Sequence, residues 1–380
     1  MELLSDILGQ PTALEILRRA VRQQQPFHAY LFHGPEAVGK RATALAFTRA
    51  LLCRHPTAAG DACGACSSCH KMDSGSHPDF RVIGIERGAK GSAPAEGERW
   101  RIGIDQIRQN PKKPRVTPPP LVADAFYHPI ESDWKVYLID PADLLTDDAG
   151  SALLKLLEEP PSFVVIILVA AVPNAVLPTL RSRCWPVGFR IVPRKAIETA
   201  LSTRGFSAQQ AKLFAALSEG RIGWALTAAG KEEIERARQE TVALLARLPR
   251  LPREELLCFA ESLRGIARDN FSGENHDSEE EGAPAKRWDS ERQLRSSLPP
   301  VLDLVITWFR DLLLTTQQAQ RLITNEDFHS LLTEQAAQLT TEQLRACLLA
   351  TIETKRLLQR FANPTLATEA LAIKLHRAVS

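Results

Sequence analysis

The 380-residue sequence lacks the features that would assign it to a membrane, secreted or strongly basic class of protein. It contains no apolar run of the roughly 18 residues that a membrane span needs. Its first ten residues, MELLSDILGQ, include acids and no basic segment before an apolar stretch, so we expect no secretory signal. A net charge of +2 argues against wholesale binding of nucleic acid. We therefore expect a cytoplasmic protein of two or three domains.

Cysteine is scarce and unevenly distributed, since four of the seven cysteines lie in one short segment. Cys53, Cys63, Cys66 and Cys69 follow the spacing C-x9-C-x2-C-x2-C. Two-residue gaps let successive thiolates turn toward one centre, and a fourth thiolate completes a tetrahedron, so the pattern predicts a structural Zn²⁺ site. An iron–sulfur cluster is an alternative, although the x3-C-P continuation of the ferredoxin pattern is missing. Four reduced, unliganded thiols are the remaining interpretation.

The order of apolar segments predicts an α/β fold, a parallel sheet with flanking helices, in residues 1–190. Runs that are typical of buried strands occur at 29–33, 135–140 and 162–172. Helices are predicted behind the first of them, at 41–53, and between the other two, at 146–159, where Thr146 can serve as the N-cap. The remainder of the chain has helical periodicity.

Two stretches interrupt these patterns. Residues 86–100 (ERGAKGSAPAEGERW) have the composition of a surface insertion, and residues 270–288 are acidic and contain Gly and Pro, as linkers do. The basic stretch 110–116 (NPKKPRV) suits either a solvated loop or a modest contact with DNA phosphates.

Residues 34–40 have the G-x-x-x-x-G-K spacing of a phosphate-binding loop. In such a loop backbone N–H groups at a helix N-terminus face the phosphates, and the lysine adds positive charge. Gly34, Gly39 and Lys40 keep that part of the pattern. Arg41 stands where a Ser or Thr hydroxyl would ligate Mg²⁺, so the loop predicts at most weak binding of nucleotide.

A nucleotide-hydrolysing site also needs acids at the end of a neighbouring strand, and the sequence meets this requirement only in part. Asp140 ends the apolar run 135–140, where an acid can ligate the metal of a nucleotide site. The next residue, which would polarise the attacking water, is Pro141, and Asp143 lies too far along to replace it. Asp140 is equally well explained as a turn or helix-cap residue.

The stretch LRSRC, residues 180–184, presents an arginine after a short predicted helix. An arginine at a subunit contact can reach a neighbour's γ-phosphate and accelerate hydrolysis by about 10³–10⁵. Spacing alone also allows a surface or salt-bridged side chain at Arg183.

Taken together, the motifs resemble the clamp-loader subunits of bacterial DNA polymerase III, within the AAA+ superfamily. The matching stretches run in family order through residues 7–184: ILGQ, HAYLFHGPEAVGK, the cysteine cluster, HPDF, IDQIR, KVYLID, ALLKLLEEPP and LPTLRSRC. Residues 218–226 and 363–375 resemble the family's lid and collar more weakly. The resemblance implies an AAA+ α/β domain over 1–190 with a zinc module at about 53–69, a helical lid over 191–248 and a helical collar over 249–380.

Four positions depart from the family's ATP-hydrolysing members, the tau/gamma motor subunits. Arg41 replaces the metal-ligating hydroxyl, and Pro141 replaces the second acid. Residues 170–172 (AAV) supply no polar sensor, and Gly223 stands where the lid of a motor carries an arginine. The resemblance therefore implies a non-hydrolysing companion, which has no ATPase activity of its own and is a component of a DNA-directed DNA polymerase holoenzyme.

The same resemblance assigns roles to the candidate residues. Arg183 would act in trans as an arginine finger, within a motif shared with Ser182 and Cys184. A degenerate nucleotide site, with weak or absent binding of ATP or ADP, would comprise Gly34, Gly39, Lys40 and Asp140. The expected partners are the tau/gamma and delta subunits, with the sliding clamp and primer–template DNA reached through the complex.

Two other interpretations remain open. An active AAA+ clamp-loader ATPase of the tau/gamma kind would need to function despite Arg41 and Pro141. A zinc-stabilised nucleic-acid-binding scaffold would carry basic and aromatic residues around its cysteines, whereas the segment 55–75 contains no Phe, Tyr or Trp.

Overall fold

The computed structural model describes residues 2–85, 101–108, 119–271, 287–359 and 362–379. The chain divides into two compact units. The first comprises Met1–Ala211 and Ser218–Leu226, and the second comprises Lys212–Leu217 and Thr227–Ser380. The finer division into an α/β domain, a lid and a collar stays a prediction.

A parallel sheet organises the first unit, as the sequence predicts. Within the described residues it has five strands: β1 Ala29–His33, β2 Phe80–Ile83, β3 Lys135–Ile139, β4 Val164–Ala170 and β5 Trp185–Gly188. Their order is β2-β3-β4-β1-β5, and all four pairings are parallel. Because the strands are parallel, all of them begin at one edge of the sheet and end at the other.

Two apolar cores cover the two faces of this sheet. In β1, Tyr30 and Phe32 face one core and Leu31 faces the other, as the alternation of side chains along a strand requires. Tyr30 packs edge-to-face on Phe47 of the first core, with ring centroids 5.3 Å apart. Every residue of β3 and β4 is buried, which explains why those strands read as continuous apolar runs.

The helices of the first unit flank the sheet and connect its strands. They are α1 Pro11–Gln23, α2 Lys40–Leu52, α3 Ser67–Asp73, α4 Ile104–Ile107, α5 Leu121–Asp124, α6 Asp147–Glu158, α7 Pro178–Arg181 and α8 Arg194–Thr203. Short 3₁₀ helices lie at Leu4–Asp6, Ala142–Leu144 and Pro173–Ala175. The predicted N-cap is confirmed, since Oγ1 of Thr146 accepts from the N–H of Ala149 at 3.2 Å.

The described part of the second unit is helical, as predicted. Two helices contribute residues to both units, α9 Ala208–Leu217 and α10 Ile222–Ala228. The others are α11 Glu232–Arg247, α12 Leu256–Phe271, α13 Arg287–Thr316, α14 His329–Gln338, α15 Thr341–Gln359 and α16 Pro364–Val379, with 3₁₀ helices at Leu248–Arg250, Arg253–Glu255, Gln320–Leu322 and Glu326–Phe328.

Some predicted features fall on other parts of the chain. The insertion 86–100 and the basic stretch 110–116 lie outside the described residues, as does most of the acidic segment 270–288. Among the helices that the structure describes, none combines the length and apolar character needed to cross a bilayer.

Candidate functional site

The four clustered cysteines converge on one point beside α2 and α3. Their sulfur atoms all lie within 4.8 Å of one another, with 3.9 Å between Cys53 and Cys66 and 4.0 Å between Cys63 and Cys69. A tetrahedral Zn²⁺ with bonds of about 2.3 Å separates its sulfur ligands by roughly 3.8 Å. The donor set and its spacing therefore fit a metal ion held by four thiolates.

Local backbone structure brings these thiols together. Cys53 follows the last residue of α2, and Cys66 is the N-cap of α3, one turn before Cys69. The N–H groups of Cys63 and Cys69 donate to the sulfurs of Cys53 and Cys66 at 3.3 and 3.4 Å. Gly64 has a φ of +75°, which lets the chain turn tightly between two ligands.

The four thiols differ in how readily they ionise. Burial raises the pKa of Cys53 to about 12 and also raises that of Cys69. Burial opposes ionisation of Cys66 too, but N–H groups of Cys69 and Arg54 and the adjacent thiols outweigh it and lower its pKa to about 6. The N–H of Ala65 lowers the pKa of the more exposed Cys63. A bound cation would supply the charge that ionisation of the buried pair requires.

Two residues that the sequence analysis did not assign attach this module to the rest of the unit. Asp61 is buried, and its carboxylate accepts from the N–H groups of Leu4 and Ser5 at 3.1 and 2.8 Å. His77 lies outside the cysteine cluster, where Nε2 contacts Oγ of Ser68 at 2.9 Å and Nδ1 accepts from the N–H of Asp79 at 3.2 Å.

Asp79 extends the same attachment. Its carboxylate accepts from the consecutive N–H groups of Ile130, Glu131 and Ser132, at 2.6, 2.8 and 2.9 Å. No sequence rule assigns such a partner, because the loop lies some fifty residues further along the chain.

The phosphate-binding loop joins β1 to α2 with the expected backbone geometry. Gly34 and Gly39 have φ angles of +143° and +101°, and a Cβ at residue 34 would lie 2.3 Å from the carbonyl oxygen of Phe189. Nζ of Lys40 points back into the loop and donates to the carbonyls of Gly34 and Pro35 at 2.7 and 2.5 Å. Burial lowers the pKa of Lys40, and nearby carboxylates oppose that shift.

Arg41, which stands where a Ser or Thr hydroxyl would ligate Mg²⁺, forms an ion pair across the loop. Its guanidinium donates to Oδ2 of Asp140 at 2.7 Å and forms an ion pair with it. Asp140 directly follows β3, where the sequence places a possible metal ligand. The structure thus brings the two residues together, and a fixed side-chain cation neutralises the carboxylate.

Hydrogen bonds of Asp143 and Gly223 add three further contacts around the phosphate-binding loop. Asp143 Oδ2 accepts from the N–H groups of Ala171 and Val172 at 3.3 and 3.4 Å, so it faces the end of β4. The N–H of Gly223 donates to the carbonyl of Ala37 at 2.7 Å, and a Cβ at residue 223 would lie 3.0 Å from that oxygen. The backbone of α10 therefore approaches the loop at Gly223.

Gln10 supports the phosphate-binding loop, a role that the sequence did not predict. Its buried amide donates to the carbonyls of Val38 and Arg190, at 3.3 and 2.6 Å, and accepts from the N–H of Arg190 at 3.1 Å. The amide joins the loop to the segment after β5, 180 residues away in sequence. No local pattern predicts this role, because the partner lies 180 residues further along the chain.

Arg183 lies between α7 and β5, at the edge where the parallel strands begin. Its guanidinium donates to Glu158 at 2.6 Å, to the carbonyl of Thr179 at 3.0 Å and to Oγ of Ser182 at 3.4 Å. The phosphate loop leaves the opposite edge of the sheet, after β1. A five-residue strand is roughly 15 Å long, so Arg183 is remote from the phosphate loop of its own chain.

The neighbours of Arg183 in the motif shape its turn. Oγ of Ser182 donates to the carbonyl of Thr179 at 3.1 Å. Cys184 is buried, and burial raises the pKa of its thiol to about 12, which keeps the thiol protonated. Cys184 therefore anchors the turn in the apolar core, while Arg183 stays partly exposed.

Two family models match the chain. Residues 9–193 match the model described as DNA polymerase III, delta subunit, and residues 286–377 match the model described as the C-terminal part of that subunit. The first match includes the sheet, the cysteine cluster, the phosphate loop and Arg183, and the second includes helices α13, α14 and α15 and most of α16.

Curated relatives agree with these matches. The DNA polymerase III subunit delta' of Pseudomonas aeruginosa is 38% identical over 160 residues, which cover 42% of each chain. The delta' subunit of Bacillus subtilis is 27% identical over 235 residues, 62% of this chain and 64% of that one. The subunit gamma/tau of Mycobacterium bovis is 31% identical over 199 residues, 52% of this chain and 30% of that one. The aligned residues thus span less than two thirds of each relative's length, and on the two model matches the chain belongs to the DNA polymerase III delta-subunit family.

Proposed function

We propose that the chain is the delta' subunit of a bacterial clamp loader. In this role it is a non-hydrolysing AAA+ subunit that supplies Arg183 in trans to the ATP site of an adjacent tau/gamma motor subunit. The complex loads the sliding clamp onto primer–template DNA during replication, and the chain works in the cytoplasm. Its own part in that process is to complete a neighbour's site.

The position of Arg183 carries the proposal. It lies at the edge where the strands begin, whereas the phosphate loop leaves the edge where they end, so the two cannot act on the same nucleotide. A guanidinium at that edge is instead open to a neighbouring subunit. In phosphoryl transfer such an arginine stabilises the charge that develops on the γ-phosphate.

The loop contacts support the absence of hydrolysis. Arg41 forms an ion pair with the carboxylate of Asp140, and Lys40 donates hydrogen bonds to carbonyls of its own loop. Neither Pro141 nor Gly223 can polarise water or contact a γ-phosphate through a side chain. These contacts leave the loop as a structural turn between β1 and α2.

The cysteine cluster is the proposed zinc site of the same subunit. With four thiolate ligands the ion would have no open position, so it would supply only cross-linking of the module. Cys53, Cys63, Cys66 and Cys69 would hold it, while Asp61 and His77 attach the module to the rest of the unit. A rigid module suits a subunit that acts as the fixed member of a ring, and the C-terminal helices would form its collar.

The direct test is DNA- and clamp-stimulated ATP turnover by a reconstituted loader in which only this chain is varied. Arg183→Ala should lower the stimulated turnover steeply, because the adjacent motor site loses a finger that accelerates hydrolysis there by about 10³–10⁵. Lys40→Ala should change turnover less than twofold. Arg181→Ala is the matched control, since Arg181 is exposed, two residues away, and bonded to Asn174 at 2.9 Å.

Either of two results would reject the proposal. If Lys40→Ala carries the loss, the loop is a working ATP site and the chain is a motor. If Arg183→Ala and Arg181→Ala both behave like the wild type, the chain supplies no finger.

A further inference from the structure

A recess of about 580 Å³ opens beside Arg183 at the edge where the strands begin. Phe27 and Trp185 form one wall, Glu158 and Arg183 form another, and Cys184 lies among the lining residues. The proposed finger uses only the guanidinium, so the aromatic wall has no assigned role.

The two aromatic side chains are exposed but held in place. Phe27 is 40% and Trp185 is 48% accessible, and their rings meet edge-to-face with centroids 5.7 Å apart. The N–H of Phe27 donates to the hydroxyl of Tyr30 at 2.9 Å, and Trp185 pairs with Tyr30 in the sheet. Their geometry therefore exists before any partner binds, which lowers the conformational entropy lost on binding.

The composition of the recess is that of a protein interface. Trp and Arg are among the residues that most often dominate binding energy, especially where surrounding contacts exclude water. β5 is an edge strand, but Pro186 has no N–H, so addition of a further strand there is disfavoured. Side chains, rather than backbone pairing, would therefore make the contact.

We propose that Phe27 and Trp185 form the apolar part of a docking surface for the nucleotide-bearing edge of the adjacent motor subunit. The inference rests on the proposed function. The occupant follows from charge, because the guanidinium of Arg183, which pairs with the exposed Glu158 in the free chain, can exchange that carboxylate for a polyphosphate held by a neighbour. A second copy of this chain would instead present a loop whose Asp140 is already paired with Arg41.

The experiment titrates this chain into motor and delta subunits and records the plateau of stimulated ATP turnover and the chain concentration that gives half of it. Trp185→Ala and Phe27→Ala should each raise that concentration about 30-fold, as loss of an interface hot spot does, and leave the plateau within twofold. Arg183→Ala should lower the plateau instead. Tyr127→Ala, which removes an aromatic residue that is 67% exposed, should change neither quantity.

A second measurement follows the burial of Trp185 directly, so it does not depend on the affinity that other contacts of the chain give to the complex. The fluorescence difference between wild type and Trp185→Phe isolates Trp185 among the six tryptophans. Acrylamide quenching of that component should fall at least threefold when nucleotide-loaded motor subunits are added. Trp185→Phe also keeps an apolar ring, so its half-saturation concentration should stay near that of the wild type.

The outcomes separate the two proposals. Unchanged half-saturation and unchanged quenching, together with a lower plateau for Arg183→Ala, would overturn the docking surface and leave the finger intact. An unchanged plateau for Arg183→Ala would reject the proposed function itself. A concentration-dependent dimer of the isolated chain that Trp185→Ala abolishes would overturn the choice of occupant.

Discussion

The guanidinium of Arg41 lies 2.7 Å from Oδ2 of Asp140, across the gap between the first turn of α2 and the end of β3. In a working nucleotide site these two positions would hold a hydroxyl and a carboxylate that share Mg²⁺. Here the guanidinium of Arg41 binds the carboxylate of Asp140 directly. The ion pair joins the same two elements, and no metal is needed to neutralise Asp140.

Arg41→Thr restores the missing hydroxyl and should not create an ATPase. Pro141 still cannot polarise water, and Gly223 still supplies no side chain that could contact a γ-phosphate. We expect ATP turnover by the isolated variant to equal that of the wild type, measured as phosphate release in Mg²⁺. Turnover that rises at least tenfold and depends on Lys40 would contradict this prediction. The ion pair, whose arginine is largely exposed, should contribute at most about 1 kcal/mol to folding.

If Arg183 acts as the proposed finger, Glu158 and an incoming phosphate compete for its guanidinium. Glu158→Gln removes the charge of the competitor and retains its shape. Because an exposed ion pair contributes about 0–1 kcal/mol, the KM for ATP of the reconstituted loader should fall by up to about fivefold while kcat stays unchanged. The matched control is Glu159→Gln, at the adjacent exposed carboxylate. A fall in kcat with Glu158→Gln would show instead that Glu158 positions the guanidinium.

Removal of the metal should unfold the cysteine module and loosen the N-terminal turn that Asp61 holds. Metal at about 1,000 times its Kd stabilises a fold by about 4 kcal/mol, so Cys66→Ser should lower Tm by roughly 8–16 °C. Amide exchange at Leu4 and Ser5 should accelerate at the same time, since both donate to Asp61.

Metal content of the purified chain is the second readout of that experiment. Wild type should carry one zinc ion, and Cys66→Ser should carry much less. Cys258→Ser changes an exposed cysteine outside the cluster and should retain the zinc. Equal metal content in both variants would contradict the zinc assignment.

Stability should fall as the solution is acidified, in part through His77. Burial lowers the pKa of His77 below its ordinary 6.5, and the carboxylates of Asp79 and Glu131 oppose that shift. The unfolded chain therefore takes up a proton first, and the stability present above about pH 6.5 is lost as the pH falls toward the folded-state value. His77→Asn should flatten the dependence of the unfolding free energy on pH between 7 and 5, measured by urea titration in excess zinc. Parallel curves for the two proteins would contradict it.

Much of the fold follows from local sequence. Strands β1, β3 and β4 were predictable because each is a run of buried apolar residues, and α6 because Thr146 and the acids after it mark a helix start. Strands β2 and β5 were not assigned, because they are four residues long and lie at the edges of the sheet. The cysteine spacing also identified its cluster, since ligand spacing reflects short-range backbone geometry.

By itself the sequence determined the family resemblance, the three central strands and the helices between them, the cysteine cluster and the replacement of a hydroxyl by Arg41. Only the tertiary structure decided what those residues contact. Arg41 meets Asp140, Gln10 meets Arg190, and Arg183 meets Glu158, across 99, 180 and 25 residues of chain. The physical reason is that side-chain partners depend on how the strands and helices pack. The hydrophobic pattern along one segment indicates which face of that segment is buried. It does not indicate which polar group of another segment packs against that face.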